Sequence, residues 1–126
     1  MGTINDKESI MQVTVYHRDN FDPRESSGFS RVAVVNAPTD DINEALEYAF
    51  HHTNNINGSW SLPKTFEWNG EIHNNEDFNS NVEFVGRYKI GKDGNAYGAR
   101  STSVRDVMYC GGSKYEVADF GFDKVA

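Results

Sequence analysis

The sequence predicts an α+β fold: a single small domain, mainly antiparallel sheet, with one principal amphipathic helix and a closing β-hairpin. Three observations predict it. Ile42, Ala45, Leu46, Ala49 and Phe50 recur at i, i+3, i+4, i+7 and i+8, one apolar stripe at helical period. Val13, Val15 and His17 alternate with Thr14 and Tyr16, the period of a half-buried strand. Near the C-terminus, two strand-like runs at 104–109 and 113–118 flank Cys110-Gly111-Gly112, which is hairpin chemistry.

The elements follow in order. A chain of 126 residues has the size of one domain. Such a domain buries about two-thirds of its unfolded surface, enough for a core without metal or disulfide staples. Residues 1–10 lack sustained apolar periodicity and read as a flexible tail, leaving 11–126 as the domain. The first strand is expected at 12–18 and the second at 30–36, with the polar stretch 19–28 as a long connection between them. The helix is expected at about 40–53. Pro38 blocks helix before it, Thr39 or Asp41 can cap it, and Asp41 with Glu44 has the spacing of a capping-box variant. His51 and His52 fall in its last turn. Thr53-Asn54-Asn55 ends it, Asn being able to supply a left-handed C-cap.

From 57 to 81 the apolar residues are isolated: Trp60, Leu62, Phe66, Trp68, Ile72 and Phe78. The expectation is a loop pinned by aromatic anchors, with one short strand at 65–68. Alternation resumes at 82–90, putting Val82, Phe84, Gly86, Tyr88 and Ile90 on one face. Gly91-Lys92-Asp93-Gly94-Asn95 is a turn, and Tyr97 begins the returning segment. Val104 and Val107 are expected in the core, with Phe120 and Phe122 sealing it near the C-terminus.

Charge and composition narrow the function. A net charge of −7 argues against simple binding of a nucleic-acid backbone, which needs clustered Lys and Arg. It suits solubility or a basic partner. The one cysteine, Cys110, allows no intrachain disulfide and points to a reducing cytoplasm. No apolar run reaches the ~18 residues of a membrane span, and no signal-peptide core opens the chain. Asn57-Gly58-Ser59 matches a glycosylation sequon, but without a secretory signal it reads as a turn.

No residue set demands catalysis, a cofactor or a metal. His51 and His52 are adjacent, and so diverge on a helix instead of sharing an ion. Glu71-Ile72-His73 would put two ligands on one strand face, a pair only. There is no G-x-S-x-G, no Cys with a nearby base and no P-loop. Asp40-Asp41 lies at a helix start, where capping explains it. The segment Arg100-Ser101-Thr102-Ser103-Val104-Arg105-Asp106 is richer. It reads as an anion site, Arg100 offering a fork of donors beside three hydroxyls. The reading the segment favours is structural: a tight turn whose backbone the Ser and Asp side chains satisfy while Arg100 pairs with Asp106.

This segment, with Val107, Tyr115-Glu116-Val117 and Gly121-Phe122 after it, resembles a family of small uncharacterised proteins of bacteriophages, plasmids and actinobacteria. They carry a run like Arg-Ser-x-Ser-Val-Gly-Asp-Val. The opening Val13-Thr14-Val15-Tyr16-His17 and the stretch 49–56 followed by Trp60 are similar too, and the three blocks span about half the chain. A Ser-Val-x-Asp-Val run also occurs in YodL-like domains, which implies distant kinship. Arg105 stands where the family usually has Gly, so a positive φ there would be strained.

The resemblance implies a phage or mobile-element context. The leading expectation is a non-enzymatic accessory protein, of host-takeover or anti-defence type, that binds a host protein in the bacterial cytoplasm. Trp60, Phe66 and Trp68 would anchor the partner if exposed; otherwise they are loop aromatics folded onto the core. The alternative is a small-ligand or nucleotide-sequestering domain. Arg100, Ser101, Ser103, Asn54 and Asn55 would then line one cleft. A small enzyme of unknown class is the third reading.

Overall fold

The computed structural model describes residues 9–19 and 28–125. Residues 1–8 of the expected tail and most of the 19–28 connection lie outside the described residues. Among the described residues ten strands and one helix run in the order β1 (Met11–Arg18), β2 (Phe29–Ala37), α1 (Ile42–His52), β3 (Thr65–Trp68), β4 (Glu71–Asn74), β5 (Val82–Phe84), β6 (Lys89–Ile90), β7 (Ala96–Tyr97), β8 (Val107–Cys110), β9 (Ser113–Val117) and β10 (Phe122–Val125). The fold is α+β, as the sequence predicts. Six strands form an antiparallel sheet in the order β10-β9-β8-β1-β2-β5, while β3-β4 and β6-β7 form separate two-stranded sheets.

The helix lies against one face of the large sheet because its stripe matches that face. Ala45, Leu46 and Ala49 are buried against Val13, Val15, Ala33, Val35, Met108 and Cys110. The alanines of β2 and α1 let the two layers approach closely, and burying Leu46 alone contributes roughly 1.5–3 kcal/mol. Between Val15 and Tyr16 the register slips, so Val32 has no cross-strand partner and is buried beside Ala33.

Asp41 is the N-cap and accepts the Glu44 N–H, while the Thr39 hydroxyl donates to the Glu44 carboxylate. The C-terminus closes differently from expectation. Asn54 and Asn55 do not take the left-handed conformation, which among the described non-glycine residues belongs to Asn69 and Arg105. Instead the Thr53 hydroxyl donates to the Ala49 carbonyl and the Asn54 side chain to the Phe50 carbonyl, satisfying end carbonyls through side chains.

Four expectations need correction. The run 57–81 is not a loop with one strand. Asn69 (φ 52°) and Gly70 (φ 82°) form a two-residue hairpin turn that pairs β3 with β4. The alternation at 82–90 is not one strand either. The Phe84 ring folds over Gly86, where a Cβ would come within 2.8 Å of it, and the chain leaves the large sheet. Val104 is 45% exposed, because a turn at 103–106 precedes β8. Phe120 is 95% exposed at the β9–β10 turn; Phe122 alone packs inward, edge-on to Phe50. The Gly111-Gly112 turn, with both φ positive, closes the β8–β9 hairpin as expected.

Candidate functional site

Two groups of side chains carry the chemistry, and they differ in whether they have anything left to offer a ligand. The first is the segment 100–106. Arg100 Nη1 donates to Asp106 Oδ2 at 2.7 Å and Nη2 to Oδ1 at 2.8 Å, a bidentate pair. The backbone N–H groups of Arg18 and Ser103 donate to the same carboxylate, at 2.9 and 2.7 Å. Asp106 is completely buried. Burial alone would raise its pKa, but these four donors hold it below the usual carboxylate range.

A second chain of hydrogen bonds joins this turn to the helix end. Thr53 Oγ1 donates to the Ala49 carbonyl, so it must accept from Thr102 Oγ1, 2.7 Å away. Thr102 then accepts from His17 Nε2 at 2.8 Å. The directions put a proton on His17 Nε2, which in the neutral ring is the Nε2–H tautomer. Burial agrees: it drives the His17 pKa down to about 4, against the pull of Asp106. The Thr102 N–H also donates to the Thr53 carbonyl. The segment thus staples β1, the C-terminus of α1 and the entry to β8 together.

The structure places the expected ligand residues within this staple. Ser101 Oγ accepts the Asn55 N–H, and Asn55 Nδ2 donates to the Ala99 carbonyl. Asn55 Oδ1 accepts the Trp60 N–H. Ser103 gives its N–H to Asp106, and Asn54 caps the helix. The two polar clusters do come together, but by bonding to each other. The anion that Arg100 holds is the protein's own Asp106.

Trp60 belongs to the same closed region. It is 3% exposed, packs edge-on to Phe84 and His17, and donates its indole N–H to the Arg100 carbonyl at 2.8 Å. A docking anchor must be exposed, so Trp60 takes the second of the two roles expected for it, an aromatic folded onto the core. Arg105 has φ 78°, a left-handed conformation that strains a side chain with a Cβ.

The second group lines a cleft of about 460 Å³ between the two small hairpins. Its walls carry Phe66, Trp68, His73 and Tyr97, and Asn55, Gly58, Ser59, Leu62, Ala96, Gly98 and Ala99 complete it. The hairpin register builds the first wall: Phe66 pairs with His73 across β3–β4, their rings stacked 5.7 Å apart. Trp68 meets Tyr97 edge-on at 4.9 Å. Asn69 and Asn95 hold the hairpins together, since Asn69 N–H donates to Asn95 Oδ1 and Asn95 Nδ2 to Asn69 Oδ1. Tyr97 is steadied by its hydroxyl, which donates to Asp93 at 2.7 Å.

The floor is held by carboxamide and carboxylate side chains. Buried Asn75 accepts the Ser59 N–H and donates to the Ser59 and Leu62 carbonyls. Asp77 accepts the N–H groups of Ile56, Asn57 and Gly58. Although its partial burial pushes the other way, those N–H groups hold the Asp77 carboxyl below its ordinary pKa. Gly98 lines the cleft where a Cβ would sit 2.4 Å from both Ser59 Oγ and Ser61 Oγ.

Sequence reasoning pointed to Asn55, Phe66 and Trp68 but missed His73, Tyr97, Gly58 and Gly98. The signal that could have found His73 is Asn69-Gly70, whose hairpin sets it opposite Phe66. Among the described residues no group of three or more His, Cys, Asp or Glu could hold a metal ion. His51 and His52 are edge-on neighbours, and His73 lies 3.9 Å from Glu71 as an exposed pair. Cys110 is buried and its thiol pKa is pushed up by burial, the opposite of an activated nucleophile. Among the described residues no helix is long and apolar enough to cross a membrane. No protein-family model, curated protein or solved structure matches the chain.

Proposed function

We propose that this chain is a binding domain that takes an uncharged aromatic group into the cleft between its small hairpins. The group is most directly an aromatic side chain offered by a partner protein. The observation that carries the reading is the lining: four rings, two glycines and no Lys or Arg. Such a surface rewards burial of an apolar ring, by area and by edge-on or offset contact with Trp68 and Tyr97. With its resemblance to phage and plasmid proteins, the expected partner is a host protein.

A nucleotide suits the same rings but not the same charges. Its phosphates would meet a chain of net charge −7, and the lining offers no cation. Arg100, the residue that would answer them, is engaged by Asp106. The reading that asks for no phosphate site is therefore favoured.

The test is an NMR titration of the full chain with N-acetyl-tryptophanamide, N-acetyl-phenylalaninamide and AMP. Saturable shifts from the aromatic amides at Gly58, Ser59, Trp68, Tyr97 and Gly98, stronger than any from AMP, are expected. Shifts elsewhere only, or none, would overturn the proposal; stronger binding of AMP would favour the nucleotide.

A further inference from the structure

On the far side of the helix end, a second apolar groove of about 450 Å³ runs between α1 and the β9–β10 turn. Phe50, Val104, Val117, Ala118 and Phe122 supply its apolar lining, and Glu47, His51 and Asp119 its polar lining. It shares no lining residue with the aromatic cleft. Beside it stands Phe120, flanked in sequence by the lining residues Asp119 and Gly121. The β9–β10 turn fixes its position, since the Ala118 N–H donates to the Gly121 carbonyl and Gly121 takes φ 75°. At 95% exposure the Phe120 ring touches almost nothing of its own chain.

We infer that this face is a two-fold interface, in which Phe120 of one copy enters the groove of a second copy of this chain and receives its counterpart in return. A two-fold contact uses the same patch on both partners, so the patch must present both protrusion and recess. Here Phe120 and the groove adjoin. The charges are complementary in the same sense. Arg105 follows the groove residue Val104, and its N–H donates to the carbonyl of Val117, so it stands at the rim. It is exposed, and its guanidinium has no partner among the described residues. Glu47 and Asp119 line the recess, and two-fold pairing can set the cation of one chain beside the carboxylates of the other. Such rim charges select orientation and suppress other partners.

Sedimentation equilibrium of the full chain tests this, over a concentration series reaching about 1 mM, the range in which small interfaces associate. A reversible monomer–dimer equilibrium is expected. Phe120→Ser should weaken it at least about tenfold, as truncating a central aromatic anchor does. The variant should keep its fold, checked by circular dichroism, because Phe120 is not packed on its own chain. Arg105→Glu and Asp119→Arg should each weaken dimerisation, and the double variant should restore it in part. A chain monomeric throughout would leave the groove to an apolar segment of a different protein and overturn the inference. So would a dimer indifferent to Phe120→Ser.

Discussion

The segment 100–106 and the cleft between the small hairpins are both dense in functional-looking side chains, yet they are opposite in state. In the first, Arg100, Ser101, Thr102, Ser103 and Asp106 are bonded to one another, to the helix end or to β1. In the second, Phe66, Trp68, His73 and Tyr97 are half-buried or exposed and face a cavity. The difference teaches how to weigh such clusters. A polar cluster carries donors and acceptors in one place and can satisfy itself, whereas rings held on two separate hairpins meet over a gap. Buried polar groups must be paired, so density of polar residues signals a staple as readily as a site.

Breaking the staple should have the largest effect. Asp106→Ala leaves Arg100 and two backbone N–H groups without their acceptor, and a loss of about 3–5 kcal/mol in urea denaturation is expected. The pH dependence comes next. His17 is neutral in the fold with a pKa of about 4, against an unfolded value near 6.5, so the unfolded chain binds its proton first. Stability should therefore be full above about pH 6.5 and fall by about 2–3 kcal/mol as the pH drops toward 4. His17→Gln, which keeps an N–H donor for Thr102, should flatten the curve in that window. Asp106 has a lowered pKa, so its share of stability should go only at more acidic pH.

The cleft should respond in the other currency. Trp68→Ala should reduce binding of an aromatic amide at least about tenfold in calorimetry, while costing less stability than Asp106→Ala, because it removes a half-buried ring and its edge-on pair and strands no buried charge. The smallest effect sharpens the comparison from within the staple. Arg105→Gly relieves a positive φ and should stabilise the fold by about 1 kcal/mol in dilute solution without touching aromatic-amide binding.

How much of this was legible depended on whether a signal was local. The helix stripe from Ile42 to Phe50 and the Gly111-Gly112 turn are complete within a few residues, and both read correctly. The pairing of Arg100 with Asp106 was one of two readings the segment allowed, and only the structure decides between them. The β3–β4 hairpin was hidden because each strand is four residues long with polar outward positions, so Phe66 and Trp68 looked isolated. Val104 and Phe120 were misjudged because an apolar residue beside a strand looks like part of it; turns at 103–106 and 118–121 carry both outward. The cleft itself was illegible, since Trp68 and Tyr97 meet through Asn69 and Asn95, a contact between residues 26 apart.

The two tryptophans report on the two regions separately, one in each. In a ¹H–¹⁵N spectrum, the Trp60 indole N–H is donated to the Arg100 carbonyl in the core, and the Trp68 ring forms a wall of the cleft. Hydrogen exchange and titration with N-acetyl-tryptophanamide read both signals at once. The Trp60 signal should exchange slowly and stay fixed, while the Trp68 signal exchanges fast and shifts on titration. A shifting Trp60 beside an unmoved Trp68 would contradict the account.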